Sequence, residues 1–568
     1  MAEGGVRATG AASDSLSKKR LIVCCDGTWN DSISTDSPLT NVSRISRLIK
    51  DTSEGGIPQV VYYQNGVGSG TSKPGNVIDG MSGRGISANI RDAYTFLCHN
   101  ISHDSETQID DIILIGFSRG AFTVRGVAAL IEDVGLLTKS GLRSLRKVYD
   151  LWKIQPQNQA SRTAAKQALN ILLDDLTNAG ERRLDFKIKV CAVWDTVGSL
   201  GFPAPGPIPQ KASKRLAHIN SKLCGNIEVA IQALALNERR KNFQATVWEA
   251  APGQVLKQCW FLGAHSDVGG GNKDTGLANI TLVWMLAQLY GYVCFNEDLL
   301  VKFTSQQVSV TNEEQSREFG LEINILPGDK VDAARATSAA PGITHSYRRT
   351  KTKVNILRST GKVKNSFRGV FLFAGSQARK PCQYLMSEKG LLRNSKSNPT
   401  PTNETIHFTV RILLGTGRRT CAAMKKYHTS IVDKRVSWHL RTKRGRGTGI
   451  CLAEDGFGDQ ERRLLRLWMD AEKDSVGTTS ITIGSAVSIN AGFGINAGVS
   501  VETSHVTIGA PEGALTTNLP LSSLLLPFLG EVGNPTILYP NSEKVFVQVG
   551  GPGGIPGVNV DAGVLVER

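Results

Sequence analysis

The stretch that most constrains the fold runs from Asp110 to Leu130, DDIILIGFSRGAFTVRGVAAL. Residues 112–115 form a continuous branched apolar run, which is typical of a strand buried on both faces of a parallel sheet. After Gly120, apolar residues recur at roughly helical spacing. The stretch therefore predicts a buried strand that turns abruptly into a helix.

The turn between strand and helix has the pattern G-x-S-x-G, with Ser118 between Gly116 and Gly120. Small residues at these positions let the chain reverse tightly and expose the hydroxyl beside the free N–H groups of a helix amino terminus. The motif alone is weak evidence, since most chance matches are ordinary glycine-rich turns. Its context, a buried strand before and a helix after, is what a nucleophile elbow requires. We interpret Ser118 as a nucleophile.

Strand and helix patterns alternate through the first half of the chain, which is the signature of βαβ units. The alternation predicts an α/β fold with a mostly parallel sheet and helices on both faces. Strands are predicted at Arg20–Gly27, Gln59–Tyr63, Phe186–Trp194 and Lys257–Gly263, and helices at Thr40–Lys50, Gly85–Ile101, Val229–Arg240 and Leu277–Leu289.

Three loops at predicted strand ends carry Ser118, Asp195 and His265, in this order. Open α/β sheets bind ligands at the carboxyl ends of their strands, and the order serine, acid, histidine is that of α/β-hydrolases. A serine hydroxyl needs a neutral imidazole to take its proton, and the resulting imidazolium needs a carboxylate. We therefore predict an α/β-hydrolase-like fold with these three residues as the catalytic triad.

Asp26 and Asp267 are rivals of Asp195 for the role of the carboxylate. Asp267 lies two residues from His265, which makes a contact across the imidazole ring less favourable. Its alternative role is to hold the GAHSDVGGG loop by accepting backbone hydrogen bonds.

The tetrahedral intermediate of acyl transfer needs two N–H donors. The amide of Arg119, the residue after the serine, supplies one by the geometry of the elbow. The second must come from another loop, and we predict Gly27 or Thr28 in the CDGTWN loop.

Phosphoryl-transfer and nucleotide chemistry fit the sequence poorly. Cys24 stands where a D-x-D-G-T motif would hold its nucleophilic aspartate, and the loops NGVGSG and GMSGRG spell neither a P-loop nor a dinucleotide fingerprint. The ten cysteines form no C-x-x-C pair and no paired metal-ligand spacing. We expect neither a cofactor nor a metal.

The cysteines and the amino terminus bear on the cellular compartment. The cysteines are typical of reduced thiols, and the first residues lack the apolar core of a signal peptide. No apolar stretch reaches the length of a membrane span. We expect a cytoplasmic protein without a transmembrane segment.

The net charge of +16 originates in one segment. Residues 341–450 hold 24 Lys and Arg against 3 Asp and Glu, a net +21, so the rest of the chain carries a net −5. Such a segment either attracts anionic lipid headgroups, nucleic acid or an acidic partner, or forms a solvated surface. No nucleic-acid motif accompanies it, so we expect no nucleic-acid partner and keep peripheral contact with an anionic membrane as a hypothesis.

Seven sequence blocks follow one another in the order CDGTWN, TNVSRI, YYQNGVG, GFSRGA, VWDTVGSLG, ALALNERR and GAHSDVGGG. Together they resemble the catalytic domain shared with bacterial type VI secretion phospholipase effectors, a domain abundant in fungi. The resemblance covers about residues 19–300. It implies an α/β-hydrolase-like fold and lipase or phospholipase-type ester hydrolysis, with the triad at Ser118, Asp195 and His265. Asn237 departs from the family's aspartate before Glu-Arg-Arg, which puts a local contact in question.

The second half of the chain is harder to interpret. Residues 404–411 resemble the end block of the family, and the alternating apolar positions of 481–501 predict strands. The predicted parts are a disordered amino terminus (1–19), a catalytic domain (20–300) with a cap insertion (141–183), a basic extension ending in a helix (301–475) and a glycine-rich β-type region (476–568).

The function that these features favour is hydrolysis of carboxylic esters, above all lipid esters, by a serine hydrolase. The alternative is a non-catalytic protein that keeps the hydrolase fold and binds a partner or a membrane. An intact triad favours the enzyme, whereas an insertion that buries Ser118 favours the alternative.

Overall fold

The structure is a computed structural model. It describes residues 18–27, 38–66, 83–102, 110–153, 159–197, 223–241, 243–250, 252–300, 363–366 and 375–383, most of 402–467, and isolated strands between 321 and 567.

The centre of the molecule is a ten-stranded sheet with helices on both faces. The predicted α/β class with a mostly parallel sheet is confirmed.

The strands to residue 454 are β1 (Arg20–Cys25), β2 (Gln59–Gln64), β3 (Asp111–Phe117), β4 (Leu136–Leu137), β5 (Arg182–Arg183), β6 (Ile188–Trp194), β7 (Ile227–Ala235), β8 (Val255–Phe261), β9 (Leu321–Glu322), β10 (Lys353–Val354), β11 (Glu404–Ile406), β12 (Tyr427–Val432), β13 (Arg435–Arg441) and β14 (Gly447–Glu454). The helices are α1 (Asn41–Leu48), α2 (Gly83–Asn100), α3 (Arg119–Val134), α4 (Leu145–Trp152), α5 (Gln159–Asn178), α6 (His265–Gly269), α7 (Gly276–Leu289) and α8 (Phe408–Gly415).

The strands of the central sheet follow the order β12-β13-β14-β11-β8-β7-β6-β3-β1-β2. From β14 to β2 neighbouring strands run parallel, whereas β13 is antiparallel to β14 and to β12. The chain passes from β1 to β2 on one side and then to β3 on the other side of β1. In open α/β sheets, ligands bind at the carboxyl ends of the strands where the strand order reverses in this way.

Alternating side chains of each central strand enter two different cores. In β1, Ile22 and Cys24 pack into the core on one face, whereas Leu21 and Val23 pack into the core on the other. Burial of one such aliphatic side chain contributes about 1.5–3 kcal/mol. The double burial explains why the strands are continuous apolar runs in the sequence.

The helix predicted at Val229–Arg240 is wrong, because residues 229–235 belong to strand β7, which lies between β6 and β8. All of its residues except Glu228 are buried. A short apolar run that is buried on both faces has the same composition as a buried helix, so periodicity does not separate the two.

The helix predicted at Thr40–Lys50 is confirmed as α1. Thr40 is its N-cap, because the Thr40 hydroxyl accepts a hydrogen bond from the amide of Ser43 at 3.0 Å. The helix predicted at Gly85–Ile101 is likewise confirmed as α2.

The central sheet continues beyond residue 300, where we placed the end of the catalytic domain. Strand β11 pairs in parallel with β8 on one side and β14 on the other. The carboxylate of Glu404 accepts a hydrogen bond from Trp260 Nε1 at 2.7 Å, and buried His407 contacts Glu461 at 2.8 Å. The block at 404–411 therefore attaches the later strands to the sheet.

The predicted cap insertion at 141–183 contains a 3₁₀ turn (Gly141–Ser144), α4 and α5. Trp152 of α4 donates a hydrogen bond to Asp133 in the last turn of α3 at 2.7 Å. Because α3 has 16 residues, its last turn lies about 24 Å from Ser118. This contact of the insertion is therefore remote from the proposed nucleophile.

Residues beyond 476 contribute two three-stranded antiparallel sheets. The strands predicted at 481–501 are present in the first sheet. The strands are β15 (Thr479–Ile483), β16 (Val487–Ala491), β17 (Val499–Val501), β18 (Thr536–Ile537), β19 (Lys544–Val549) and β20 (Ala562–Glu567).

Candidate active site

Ser118 lies in a strained turn between β3 and α3, with φ 57° and ψ −119°. A positive φ is unfavourable for a residue with a Cβ and persists where the surrounding structure imposes it. Here the Ser118 amide donates to the carbonyl of Trp194 at 3.1 Å, and the Ser118 carbonyl accepts from Phe122 at 3.2 Å. These bonds hold the serine at the carboxyl edge of the sheet.

The two glycines of the elbow are required by close backbone contacts. A Cβ on Gly116 would lie 2.7 Å from the Cα of Ala121, and a Cβ on Gly120 would lie 2.1 Å from the carbonyl oxygen of Cys25. The same Cβ would lie 2.5 Å from the carbonyl oxygen of Asp26, so the end of β1 and the loop after it pack directly against the start of α3. The G-x-S-x-G pattern thus serves two purposes, the sharp turn and the approach of this loop.

Replacement of Gly120 by alanine is expected to destabilise the protein by about 3 kcal/mol or more, because the new Cβ meets backbone that has no room to move. Thermal unfolding measures the loss. Gly291→Ala is the control, since a Cβ at Gly291 meets no atom within 4 Å in the described part of the chain. Equal melting temperatures for the two variants would contradict the close approach.

The structure places Ser118, His265 and Asp195 in one chain of hydrogen bonds. Ser118 Oγ lies 2.7 Å from His265 Nε2, and His265 Nδ1 lies 2.6 Å from Asp195 Oδ2. Because an ionised carboxylate only accepts, Nδ1 carries the proton and Nε2 is left to accept from the serine hydroxyl. The side chains are largely enclosed, with exposed fractions of 7% for Ser118, 5% for His265 and 0% for Asp195.

Asp195 follows β6 with a φ of 37°, so its backbone also occupies the left-handed region. Its Oδ1 accepts from the amide of Ala235 at 3.1 Å, and its Oδ2 accepts from Arg379 Nη2 at 3.0 Å. Burial raises the pKa of Asp195, but the positive charge of Arg379 and the bonds from His265 and Ala235 outweigh it and hold the pKa below its ordinary value. Asp195 is therefore ionised at neutral pH.

The imidazole of His265 packs between two phenyl rings. Its centroid lies 4.7 Å from that of Phe117 and 5.1 Å from that of Phe243. Burial lowers the pKa of His265 below its ordinary value, although the hydrogen bond and charge of Asp195 oppose the shift. His265 is therefore neutral at pH 7, as a general base must be.

Sequence reasoning did not find Glu238, which lies beside His265. The backbone amide of His265 donates to Glu238 Oε2 at 3.3 Å, and Arg240 donates to both carboxylate oxygens at 2.8–2.9 Å. Glu238 thus fixes the start of α6. The sequence signal that could have identified Glu238 is the ALALNERR block, which contains it.

Asn237 uses both ends of its amide. Its Oδ1 accepts from the amide of Gly263 at 3.0 Å, and its Nδ2 donates to the carbonyl of Thr420 at 3.0 Å. An ionised aspartate at this position could accept the first bond but could not donate the second. The departure from the family pattern is therefore matched to a contact with the later part of the chain.

Asp267 does not face the imidazole. Its Oδ2 accepts from the amides of Ala264 and Lys364 at 2.9 and 2.8 Å, and its Oδ1 accepts from Asn272 at 2.8 Å. Burial raises the pKa of Asp267 to about 6 despite these bonds. The contacts match the loop-holding role that we gave as its alternative.

Asp26 also lies apart from the imidazole contacts. Its carboxylate accepts from Thr40 Oγ1 and from the Tyr63 hydroxyl, each at 2.7 Å, and from the amide of Gly27 at 2.6 Å. Burial raises the pKa of Asp26 to about 6 against the effect of these bonds. The amide of Gly27 is therefore engaged by Asp26, and Thr28 lies outside the described residues.

Arg119 is the first residue of α3 and follows Ser118 directly. Its backbone amide belongs to the amino-terminal turn of that helix, where N–H groups point out of the helix. Burial lowers the pKa of its guanidinium to about 10, so the side chain stays charged at neutral pH.

Five exposed cations of the basic segment cluster at the opposite edge of the sheet. They lie just before β12, at the end of β13 and in the turn between β13 and β14. Because β14 runs parallel to β11 and β8, this edge is formed by the amino ends of the parallel strands. The predicted membrane contact of 341–450 stays a prediction, and these five residues lie at the edge of the sheet opposite to the one that carries Ser118. They are Lys425, Lys426, Arg441, Arg444 and Arg446.

Within the described parts of the chain, no group of three or more His, Cys, Asp or Glu side chains is arranged to hold a metal ion. In the same residues, no helix combines the length and apolar character needed to cross a bilayer.

Comparison with known proteins gives a family match for residues 19–288, to the catalytic domain of Tle1-like phospholipase effectors of type VI secretion. An uncharacterised protein of Saccharomyces cerevisiae is 29% identical over 270 residues, which cover 44% of this chain and 35% of that protein. This chain therefore spans about a third of the length of that relative.

Two solved structures are also similar, each at 15% identity. One is an uncharacterised protein from Pseudomonas aeruginosa, with a TM-score of 0.28 and coverage of 48% of this chain and 46% of that chain. The other is the Tle1 effector bound to the VgrG spike of the type 6 secretion system, with a TM-score of 0.24 and coverage of 47% and 56%.

Proposed function

We propose that this protein is a serine hydrolase that cleaves carboxylic esters, with lipids as the substrate class, because residues 19–288 match the catalytic domain of Tle1-like phospholipase effectors. The observation that carries the proposal is the hydrogen-bonded chain of Ser118, His265 and Asp195 at the carboxyl edge of the sheet.

In the proposed reaction Ser118 Oγ attacks the ester carbonyl and His265 Nε2 takes its proton. The distance of 2.7 Å between these atoms is within the reach that proton transfer requires. Asp195 stabilises the imidazolium, which then donates the proton to the leaving alcohol. Water repeats the sequence on the acyl-enzyme and releases the acid.

The oxyanion of the tetrahedral intermediate would be bound by backbone amides. Arg119 provides one donor in this proposal, because its amide follows the nucleophile at a helix amino terminus. The second donor is assigned to the loop after β1, which packs against Gly120. Gly27 would have to share its amide with Asp26, so Thr28 is the better of the two predicted donors.

The alternative is a protein that retains the hydrolase fold without turnover. Since Ser118 is 7% exposed, entry of an acyl group to Oγ is the step on which the two hypotheses differ. Labelling of the purified chain with a fluorophosphonate probe measures this entry directly. The hydrolase is expected to label, and a folded protein that fails to label would overturn the proposal.

The substrate class is tested separately on the labelled enzyme. A panel of phospholipids, triacylglycerols and short water-soluble esters would be compared by release of free fatty acid or alcohol. We expect turnover of the lipid esters. If only the short soluble esters are cleaved, the protein is a serine hydrolase, but lipids are not its substrate class.

The pH dependence of kcat/KM is expected to show an acid limb below pH 6.5. The base must be neutral, and burial holds the pKa of His265 below its ordinary value, so the free enzyme keeps its base unprotonated into mildly acidic solution. A profile measured from pH 4.5 to 9 tests this. An acid limb centred above pH 6.5 would contradict the neutral, buried imidazole.

A further inference from the structure

Arg379 reaches the proposed triad from a segment that the family match does not include. Its Nη2 lies 3.0 Å from Asp195 Oδ2, the same oxygen that faces His265 Nδ1 at 2.6 Å. Both members of this ion pair are enclosed, with exposed fractions of 2% for Arg379 and 0% for Asp195. Interactions between buried charges are little screened by salt, so this contact acts strongly on the carboxylate.

The segment 375–383 that carries Arg379 is fixed on both sides. Lys241 donates its amide to the carbonyl of Gly375 at 3.1 Å, and Gln377 donates its amide to the carbonyl of Arg239 at 2.8 Å. At the other end, the amide of Cys382 donates to Glu404 Oε2 at 2.7 Å. Arg379 is therefore held in place by backbone contacts that do not depend on Asp195.

A second segment from the same part of the chain contacts the residues around His265. The amide of Lys364 donates to Asp267 at 2.8 Å, and Ser366 Oγ donates to Glu238 Oε1 at 3.0 Å. Residues beyond 300 thus contact Asp195, which bonds to the His265 ring, Glu238, which accepts from the His265 amide, and Asp267, which holds the loop that carries His265.

We propose that Arg379 is a positioning residue for the hydrolysis: its guanidinium fixes the Asp195 carboxylate against His265, so that the chain beyond residue 288 completes the active site. This inference rests on the proposed function. Arg379 itself takes no proton, because a guanidinium stays charged throughout the working pH range.

The charge of Arg379 also acts on the imidazole. Asp195 and Glu238 favour the protonated form of His265, and Arg240 disfavours it. Arg379 adds a second positive charge on the oxygen of Asp195 that faces the imidazole, and like charges so placed disfavour protonation of the ring. Arg379 and the imidazolium would share one oxygen of Asp195. Removal of the guanidinium therefore favours protonation of His265, and the acid limb of the pH profile moves to higher pH.

The test compares kcat/KM profiles of the full-length wild type, Arg379→Met and Arg379→Lys. Arg379→Met is expected to raise the midpoint of the acid limb by about one pH unit. It should also lower the rate on the plateau by about tenfold, since the carboxylate loses a fixed partner. Arg379→Lys keeps the charge, so its acid limb should stay near that of the wild type. The plateau value of kcat/KM for Arg379→Lys should fall, because an ammonium group lacks the planar N–H geometry with which a guanidinium binds a carboxylate.

Arg411→Met is the matched control. Arg411 is 5% exposed and pairs with Glu454 at 2.9 Å in a buried contact that involves no triad residue. It is expected to lower the melting temperature and to leave the position of the acid limb unchanged. If Arg379→Met behaves in the same way, Arg379 is structural and the inference is wrong.

A kinetic double-mutant cycle with Asp195→Asn decides whether Arg379 acts through the carboxylate. In that background Arg379→Met should change kcat/KM by less than about twofold, since the group that it positions is already lost. Full additivity of the two losses would overturn the inference. If Arg379→Met does not fold, the same double-mutant cycle with Asp195→Asn is measured for Arg379→Lys.

If the proposed function is wrong, the folded wild type will neither react with the fluorophosphonate probe nor hydrolyse esters. The contact can still be tested in that case by NMR titration of the His265 ring, assigned with His265→Asn. The pKa of His265 should rise in Arg379→Met, and an unchanged pKa would overturn the positioning role.

Discussion

Replacement of Ser118 by alanine is expected to lower kcat for ester hydrolysis by about 10⁶-fold, the scale on which loss of the nucleophile acts in serine hydrolases. The reason is that Ser118 Oγ is the atom held 2.7 Å from His265 Nε2 at the strained elbow. Without it no acyl-enzyme forms, and only binding and oxyanion stabilisation remain. Steady-state hydrolysis and fluorophosphonate labelling measure the loss.

Ser43→Ala is the matched control for this variant. Ser43 is fully buried, and its hydroxyl has no hydrogen-bond partner among the residues that the structure describes, so loss of the oxygen should change neither folding nor labelling. Circular dichroism and melting temperature should be the same for the wild type and both variants. Activity that survives in folded Ser118→Ala would show that another group is the nucleophile.

Asp195→Asn is expected to lower kcat by about 10⁴-fold while the protein stays folded. An amide at this position can turn its NH₂ toward Nδ1 of His265, which leaves the proton on Nε2 and removes the acceptor for the serine hydroxyl. The substitution also removes the charge that stabilises the imidazolium. Comparison of kcat with the melting temperature separates the catalytic effect from any loss of stability.

The two rival carboxylates provide the controls for Asp195. Asp267→Asn and Asp26→Asn replace acceptors of three hydrogen bonds each, so both should lower the melting temperature. In the folded fraction kcat should stay within about tenfold of the wild type, since neither carboxylate touches the imidazole. If kcat falls 10⁴-fold in Asp267→Asn while Asp195→Asn stays active, Asp267 rather than Asp195 is the carboxylate of the triad.

The arrangement around Asp195 bears on where the functional unit of this chain ends. The family match stops at residue 288, yet β11 lies beside β8 in the same sheet, and Arg379 bonds to the carboxylate. A fragment that stops near residue 300 would leave the edge of β8 uncovered and Asp195 without its guanidinium partner. Truncation at that point is a poor way to isolate the proposed activity.

Local pattern in the sequence was enough to identify the elbow and most of the elements. The G-x-S-x-G pattern at Ser118 indicated a tight turn, and the branched apolar run before it together with the helical spacing after it indicated a strand that leads into a helix. Ser118 and His265 are 147 residues apart, yet parallel strands bring their carboxyl ends to one edge. The order of strand-end residues therefore predicted that three distant side chains would meet, and the structure places them within hydrogen-bond distance.

Tertiary structure alone decided the features that depend on neighbours remote in the chain. Strand β7 has the composition of a buried helix, and its position between β6 and β8 determines that it is a strand. The choice among three aspartates depended on which carboxylate faces the ring. Arg379 lies 184 residues from Asp195 in a segment that reads as basic and irregular. Periodicity and turn chemistry report on a residue's own backbone, whereas an ion pair depends on how separate elements pack, so the sequence held no local signal for it.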